Sequence, residues 1–305
     1  MSERDGTRPT ITPNDFDIFR PLNWCPGCGN YQMLSAMKAA LADLGLAQHE
    51  FAIVFGIGQH GNGADFIKVQ AFHALHGRAL PTATGLALVN PDLRIIVQSG
   101  DGDGYGLGMG HFVHSVRRNI DIAYIGHNNQ IYGLTTGQAS PTSNQGMKTP
   151  STPSGVLEEP VNPLGVALAE GATFVARAFA GDVGHMTWLF KEAISHRGFA
   201  LVDVFQPCVT FNKINTFKWY RERVYKLEEA DYEPDDRTRA FELAESIVHI
   251  HNEDPPEASR IPTGIFYRQE GVPTYQDGVP QLADGPLWKR AREPRDVTGV
   301  LRAFA

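Results

Sequence analysis

Arg94-Ile95-Ile96-Val97-Gln98-Ser99-Gly100-Asp101-Gly102-Asp103-Gly104-Tyr105-Gly106 joins an apolar run to a glycine-rich acidic turn. An apolar run that closes in small residues reads as a buried strand whose end lets the backbone approach a phosphate, and the helix expected to begin near Gly106 turns its N–H groups toward it. A second run, Asp121 to Gly126, leads into Asn128-Asn129-Gln130-Ile131-Tyr132-Gly133, with Asn129 standing 28 positions past Asp101. One helix, Leu107 to Asn119, and one strand fill that interval, which is what two parallel strand ends lying side by side require. Asp101 and Asn129 then offer two hard oxygens to Mg²⁺, a cation that takes few protein ligands and completes its octahedron from phosphate oxygens. The pattern reads as a magnesium diphosphate site.

Simpler readings of the same turn fail or lose weight. An EF-hand starting at Asp101 would put Tyr105 where an oxygen donor belongs and Phe112 where the bidentate Glu belongs. An isolated Gly-Asp-Gly is usually a plain surface turn, and it is the Asn-Asn strand end at the right distance that disfavours this. Gly56-Ile57-Gly58-Gln59-His60-Gly61 satisfies the dinucleotide fingerprint, yet Arg78, Leu80 and Pro81 occupy the region where a ribose-binding acid is required.

Composition excludes several classes. The 305 residues are 42% hydrophobic and 20% charged with a formal charge of −7, which suits a globular core and argues against a nucleic-acid surface. Neither an apolar leader near Met1 nor an 18-residue apolar stretch is present in the sequence, so the expectation is a cytoplasmic protein without a membrane partner. Residues 1–20 read as a polar arm. A first helix follows, with Asn30 as its cap, Met33, Leu34, Met37, Ala40, Leu41 and Leu44 on one face, and Gly45 at its end. Phe51–Phe55 and Phe199–Phe205 read as further buried strands, and the strand–helix alternation predicts an α/β fold: a mostly parallel sheet with helices on both faces and a ligand at the carboxyl ends of the strands. The Ser-, Thr-, Pro- and Gly-rich stretch from Gln138 to Gly155 reads as a long functional loop. The domain reading is an arm (1–20), a cofactor-binding domain (21–217) and a charged, proline-interrupted extension (218–305) that packs on a partner.

Taken together, Gly100-Asp101-Gly102-Asp103, Asn128 to Thr135, Gly137-Gln138 and Ser140 to Ser143 resemble the thiamine-diphosphate-binding β subunit of 2-oxoacid:ferredoxin oxidoreductases. Trp24-Cys25-Pro26-Gly27-Cys28-Gly29, Gly56-Ile57-Gly58, His76 to Pro81 and Cys208 match the same family in order. The resemblance implies thiamine diphosphate held by Gly58, Gly100 to Asp103, Asn129 and Ile131 to Leu134, that is Ile131, Tyr132, Gly133 and Leu134. It implies Mg²⁺ on Asp101, Asn129 and the Ile131 carbonyl. The reaction it implies is oxidative decarboxylation of a 2-oxo acid, with coenzyme A taking the acyl group and electrons passing singly through an iron–sulfur cluster to ferredoxin. An α subunit is expected to supply the carboxylate facing the aminopyrimidine, so the chain should be inactive alone and work in an α₂β₂ assembly. His76 and Arg78 lie in the His-Gly-Arg segment, where a cation would face a diphosphate or a substrate carboxylate; a structural histidine and a helix-end arginine are the competing readings.

Cys25, Cys28 and Cys208 are the three cysteines of the chain. A Cys-x-x-Cys turn sets two thiolates on one metal centre and a distant third closes the site. Family members carry one four-iron, four-sulfur cluster here, with a fourth cysteine directly after the Gly-Ile-Gly, whereas this chain has Gln59 followed by His60. His60, as an imidazole, is the expected fourth ligand, with Gln59 or an external water as the alternatives. A structural zinc with Cys₃His ligands and a redox dithiol are the alternatives, the first leading to a non-oxidative thiamine-diphosphate decarboxylase subunit. For substrate, the loop Lys148 to Gly155 and Asn162-Pro163 look most like 2-oxoglutarate enzymes, with pyruvate as the alternative, and Thr136 stands where many relatives have lysine.

Overall fold

Runs of consecutive apolar residues form the inner strands, because a strand buried on both faces needs no alternation. A computed structural model describes residues 10–246, 254–290 and 296–304, so the first nine residues of the expected arm lie outside the described residues. The main sheet contains β1 (Phe51–Phe55), β2 (Ala71–His73), β3 (Arg94–Gly100), β4 (Ile122–Asn128), β7 (Phe174–Phe179), β8 (Phe199–Phe205), β9 (Val224–Lys226) and β10 (Ile261–Arg268). Its order is β2-β1-β3-β4-β8-β7-β10-β9, and every pairing is parallel except that of β10 with β7. A two-residue ribbon, β5 (Ile131–Tyr132) with β6 (Gln138–Ala139), lies outside that sheet. The expected mostly parallel α/β sheet is what forms.

Helices cover both faces. On one face, α1 (Asn30–Asp43) and α5 (Val183–Ser195) bury Met33, Met37, Leu41, Leu189 and Phe190 against Ile53, Ile125 and Val202. On the other, α2 (Ala79–Val89), α3 (Met109–Arg117), α4 (Pro163–Ala169) and α7 (Arg237–Glu245) pack Leu80, Phe112, Leu164 and Ala240 against Val54, Val97 and Leu201. Each large apolar side chain, fully buried, stabilises the fold by roughly 1.5–3 kcal/mol.

Two sequence expectations need correction, and two segments read from composition take structured places. Asn30 does not cap α1: Gly29 holds that position, and Asn30 is buried with its Oδ1 3.2 Å from His127 Nδ1. The helix after the acidic turn does not run from Leu107 to Asn119. Asp101–Leu107 winds as a π-helical turn, which carries its amides past Gly104 and Gly106 before α3 starts at Met109. Finally, the region 10–20 is pinned to the body, with Phe16 fully buried edge-on to Phe51 at 6.1 Å and its carbonyl accepting from Lys68 N–H. The segment after 218 also contributes to the sheet itself, since β9 and β10 extend its edge beyond β7. Among the described residues no helix is long and apolar enough to cross a membrane.

Beneath the strand ends, His127 bridges Asn30 and Gln98 Oε1 at 3.0 Å, and its ring lies 5.1 Å from that of His60. Burial holds His127 well below the usual histidine range and lowers His60 to about 4. Both stay neutral in the folded protein, while the unfolded chain protonates them below about pH 6.5, so stability from this pair falls as pH drops through that value. His127→Gln should therefore be less stable than the native chain at pH 8 and lose the gap on acidification. Urea midpoints from pH 8 to 5 check this, and parallel profiles for the two proteins would place the acid sensitivity elsewhere.

Candidate functional site

Two aspartates two residues apart take opposite duties. Asp103, 2% exposed, is consumed by the scaffold: its Oδ1 accepts from Ile57 N–H at 3.1 Å and Gly77 N–H at 2.7 Å and lies 2.7 Å from His76 Nδ1, while its Oδ2 accepts from Ser99 Oγ at 2.5 Å. A Cβ at Gly56 would fall 1.7 Å from that Oδ2, so only glycine lets the loop after β1 approach. Asp103, which the sequence assigns to the cofactor, lines the pocket, and its carboxylate joins the loop after β1, the loop before α2 and the end of β3. Asp101 is equally buried, yet its Oδ2 meets only hydroxyls, Ser140 Oγ at 2.5 Å and Thr142 Oγ1 at 2.7 Å. Burial raises it to about 6, and hydroxyl and backbone donors oppose the shift. A buried carboxylate held by neutral donors is suited to a cation.

A pocket opens over these groups at the carboxyl ends of β1, β3 and β4. Gly58, His60, His76, Gly100, Asp101, Gly102, Asn129, Ile131, Tyr132, Gly133 and Leu134 all line it. Asn129 accepts from Ile131 N–H at 3.0 Å through its own side chain, which folds the strand end into a tight turn around the lining. Gln130 between them adopts a left-handed backbone at φ 60°, a conformation that costs a non-glycine residue about 1–2 kcal/mol. Its side chain secures it, donating to Thr142 O at 3.0 Å and Asn144 Oδ1 at 2.5 Å and accepting from Tyr220 OH at 2.9 Å. Tyr132 donates to Gly102 O at 3.1 Å, and its ring fills the space a side chain at Gly102 would need, 2.1 Å from the missing Cβ. These features match the demands of a diphosphate, whose oxygens need backbone N–H groups close by and a cation.

His76 reaches this pocket with its Nδ1 fixed on the Asp103 carboxylate, which leaves Nε2 as the group available to a ligand. Arg78, expected beside it, turns away. Its guanidinium donates to Gly77 O at 3.1 Å and Leu107 O at 3.4 Å at the start of α2, the helix-end role that competed with a catalytic one.

The cysteines form a second cavity. Cys25, Cys28 and Cys208 line it together with Trp24, Gln59, Asn129, Gly133 and Gln206. Gly27 at φ 80° shapes the Cys25–Cys28 turn, in which Cys28 N–H donates to Cys25 O at 3.0 Å. Gln206 Nε2 donates to Cys28 Sγ at 3.7 Å and Phe211 N–H to Cys208 Sγ at 3.5 Å. Burial pushes the Cys28 thiol up, the Asn30 backbone opposes it, and thiolates at Cys208 and Cys25 would raise it further. Converging thiols with N–H donors on their sulfurs suit a positively charged iron–sulfur core. His60 is not brought to them. Its Nε2 accepts from Gly100 N–H at 3.1 Å inside the other pocket, which corrects its assignment as fourth ligand, and Gln59 occupies the cysteine cavity in its place. Among the described residues no three His, Cys, Asp or Glu side chains are set to hold a single metal ion, so the Cys₃His zinc arrangement is not formed. Gln59, Asn129 and Gly133 line both cavities and make the wall between them.

The contacts made by Ser140, Thr142 and Gln130 and the scaffold role of Asp103 escaped sequence reasoning. The density of hydroxyl residues after Gln138 was the available signal, without a way to tell which would turn inward.

Comparison with known proteins places this geometry. Residues 29–204 match the family model described as thiamine pyrophosphate enzyme, C-terminal TPP binding domain, and residues 208–284 match the model for the C-terminal part of the pyruvate ferredoxin oxidoreductase beta subunit. A 2-oxoacid:ferredoxin oxidoreductase subunit beta from Sulfolobus sp is 46% identical over 84% of this chain and 85% of its own. The corresponding protein of Saccharolobus solfataricus is 44% identical over 87% and 88%. A 2-oxoglutarate oxidoreductase subunit KorB of Mycobacterium tuberculosis is 44% identical over 70% of this chain and 58% of its own. Among solved structures, a 2-oxoglutarate:ferredoxin oxidoreductase from Magnetococcus marinus with 2-oxoglutarate, coenzyme A and succinyl-CoA bound aligns with a TM-score of 0.84 at 36% identity, covering 98% of this chain and 97% of that one.

Thr142 ties the loop to both Asp101 and Asn128, whose Oδ1 accepts from it at 2.9 Å. With Asp101 as a metal ligand, Thr142→Val should weaken binding of thiamine diphosphate by about 10–100-fold, the usual cost of losing a group that orients such a ligand, while Thr142→Ser binds normally. Calorimetric titration of the purified proteins reads the difference, and equal affinities in all three would leave Thr142 a loop residue only.

Proposed function

The chain belongs to the β subunits of the 2-oxoacid:ferredoxin oxidoreductases, thiamine-diphosphate-binding proteins of the oxidoreductase class, and from that membership we propose that it serves the oxidative decarboxylation of 2-oxoglutarate to succinyl-CoA. The observation that carries the substrate is the near-complete alignment with a structure whose bound molecules are 2-oxoglutarate, coenzyme A and succinyl-CoA. Relatives named for 2-oxoglutarate support it. Pyruvate is the second reading, favoured by the family model that matches residues 208–284.

In this reading Asp101, Asn129 and the Ile131 carbonyl hold Mg²⁺, and the π-helical turn presents its amides to the diphosphate. Thiamine diphosphate supplies a ring that accepts the electron pair released when a 2-oxo acid loses CO₂. His76, oriented by Asp103, holds or passes a proton at Nε2 toward the pocket. Cys25, Cys28 and Cys208 would hold one iron–sulfur cluster, a group that would supply one-electron chemistry toward ferredoxin, with Gln59, Asn129 and Gly133 standing between it and the cofactor pocket. The site is completed by an α partner, and Leu75, Leu107 and Leu134, all exposed on segments that border the pocket, belong to its contact surface.

Co-expressed with its α partner, the chain should oxidise 2-oxoglutarate with a higher kcat/KM than pyruvate, and the opposite ranking would reverse the substrate. Asp101→Ala and Asn129→Ala should assemble but purify without thiamine diphosphate and lose activity by orders of magnitude, because each removes a hard oxygen from a site with few protein ligands. Cofactor retained in both variants would refute the metal-site assignment. Gln59→Cys should add a thiolate to the cluster and lower its midpoint, since added negative charge disfavours the reduced form. A redox titration followed by electron paramagnetic resonance reads the shift, and an unchanged spectrum and midpoint would mean that position 59 does not reach the iron.

A further inference from the structure

A third cavity, 60 Å³ in volume, lies beyond the carboxyl ends of β4 and β8, against α6 (Phe217–Arg221), and is distinct from both sites described above. Asn128, Thr142, Arg177, Phe205, Trp219 and Tyr220 are among its lining. Arg177 is only 3% exposed. One edge of its guanidinium faces Asp203, with Nε and Nη2 each 3.3 Å from Oδ2, and its plane lies over the Phe205 ring at 4.5 Å. Its Nη1 is buried without a partner, and so is Nε1 of Trp219. Among the described residues that line this cavity, these two are the buried side-chain nitrogen and oxygen atoms left unpaired, and both are donors.

We propose that this cavity binds a small monovalent anion, of halide, formate or bicarbonate size. Two neighbouring acceptors are already engaged. Asp203 Oδ1 accepts from Tyr105 OH at 3.1 Å and Asn128 Nδ2 at 3.2 Å, and Gln130 Oε1 accepts from Tyr220 OH. A water molecule brings two hydrogens that need acceptors, whereas an anion only accepts, which is what two orphan donors and an unspent guanidinium edge ask for. The volume holds roughly four to six water-sized spheres, taking about 10–15 Å³ for each, and so admits a small anion. Thr142 lines this cavity and donates to Asp101, and Asn128 lines it one residue before Asn129. An occupant therefore touches the groups that position the proposed magnesium ligands, although its binding rests on Arg177 and Trp219 and not on that reading.

Crystals of the assembled complex soaked in bromide at fixed ionic strength test the site by anomalous diffraction. The expected result is a bromide peak within hydrogen-bond reach of Arg177 Nη1 and Trp219 Nε1, displaced by excess chloride, formate or bicarbonate according to which is preferred. Density of a water molecule with no anomalous signal would overturn the proposal. In solution, chloride or formate should raise the thermal midpoint of the native complex more than that of Trp219→Phe, which loses one donor and keeps an aromatic ring for the Arg223 contact. Equal shifts in both proteins would also overturn it. Should the variant not assemble, the bromide peak in the native complex decides alone.

Discussion

The buried carboxylate of Asp103 is the constraint on which the rest of the site depends. It gathers the loop after β1 through Ile57, the loop before α2 through Gly77 and His76, and the end of β3 through Ser99. A charge placed at 2% exposure survives only when its lone pairs are filled, and here four donors fill them. Three segments far apart in sequence are thereby drawn around one point, and the pocket is the concavity they leave. Asp101, next but one in the chain, gains its character from this arrangement, because the turn that buries Asp103 also buries Asp101 where only hydroxyls and backbone can answer its charge.

What the sequence revealed followed from periodicity and from strand ends. Phe51–Phe55, Phe199–Phe205 and the runs before Gly100 and Asn128 became strands because uninterrupted apolar residues have few other ways to be buried. Pairing the Asp101 turn with Asn129 was legible since parallel neighbours impose a fixed interval of one helix and one strand. Tertiary choices were not legible. Asn30 is a good helix cap by local chemistry, yet the buried imidazole of His127 needed a polar partner and claimed it. His60 looked like a cluster ligand from its place beside the missing cysteine. The glycine-lined turn rotates it inward, where Gly100 N–H meets its Nε2 and burial lowers its pKa to about 4.

The far edge of the sheet shows the same limit. Nothing in the charged, proline-interrupted composition after Lys218 announces strands, but Ile261–Arg268 pairs antiparallel with β7 and buries most of its length. An edge strand covered in this way no longer offers open backbone groups to another chain. Around it Arg177, Asp203 and Tyr105 form a buried polar network under the strand ends. Such a network is costly unless its members are satisfied, and the unpaired edge of Arg177 is the place where this one is incomplete.

Placement of the two cavities carries the last step. Gln59, Asn129 and Gly133 face both the pocket over Asp101 and the cavity of the three cysteines, so a single layer of protein separates them. Separate binding sites for a cofactor and a structural metal have no reason to share a wall, since each is stabilised by its own ligands. A shared wall is useful when something must cross it, and single electrons are what the proposed iron–sulfur group would exchange. The same wall explains why the change at position 59 matters. Gln59 stands on the path between the sites and its carbonyl accepts from Trp24 Nε1 at 2.7 Å, which locks the backbone there whatever the side chain does. A substitution at this point can therefore alter the charge lining the cysteine cavity while leaving the geometry of the cofactor pocket in place.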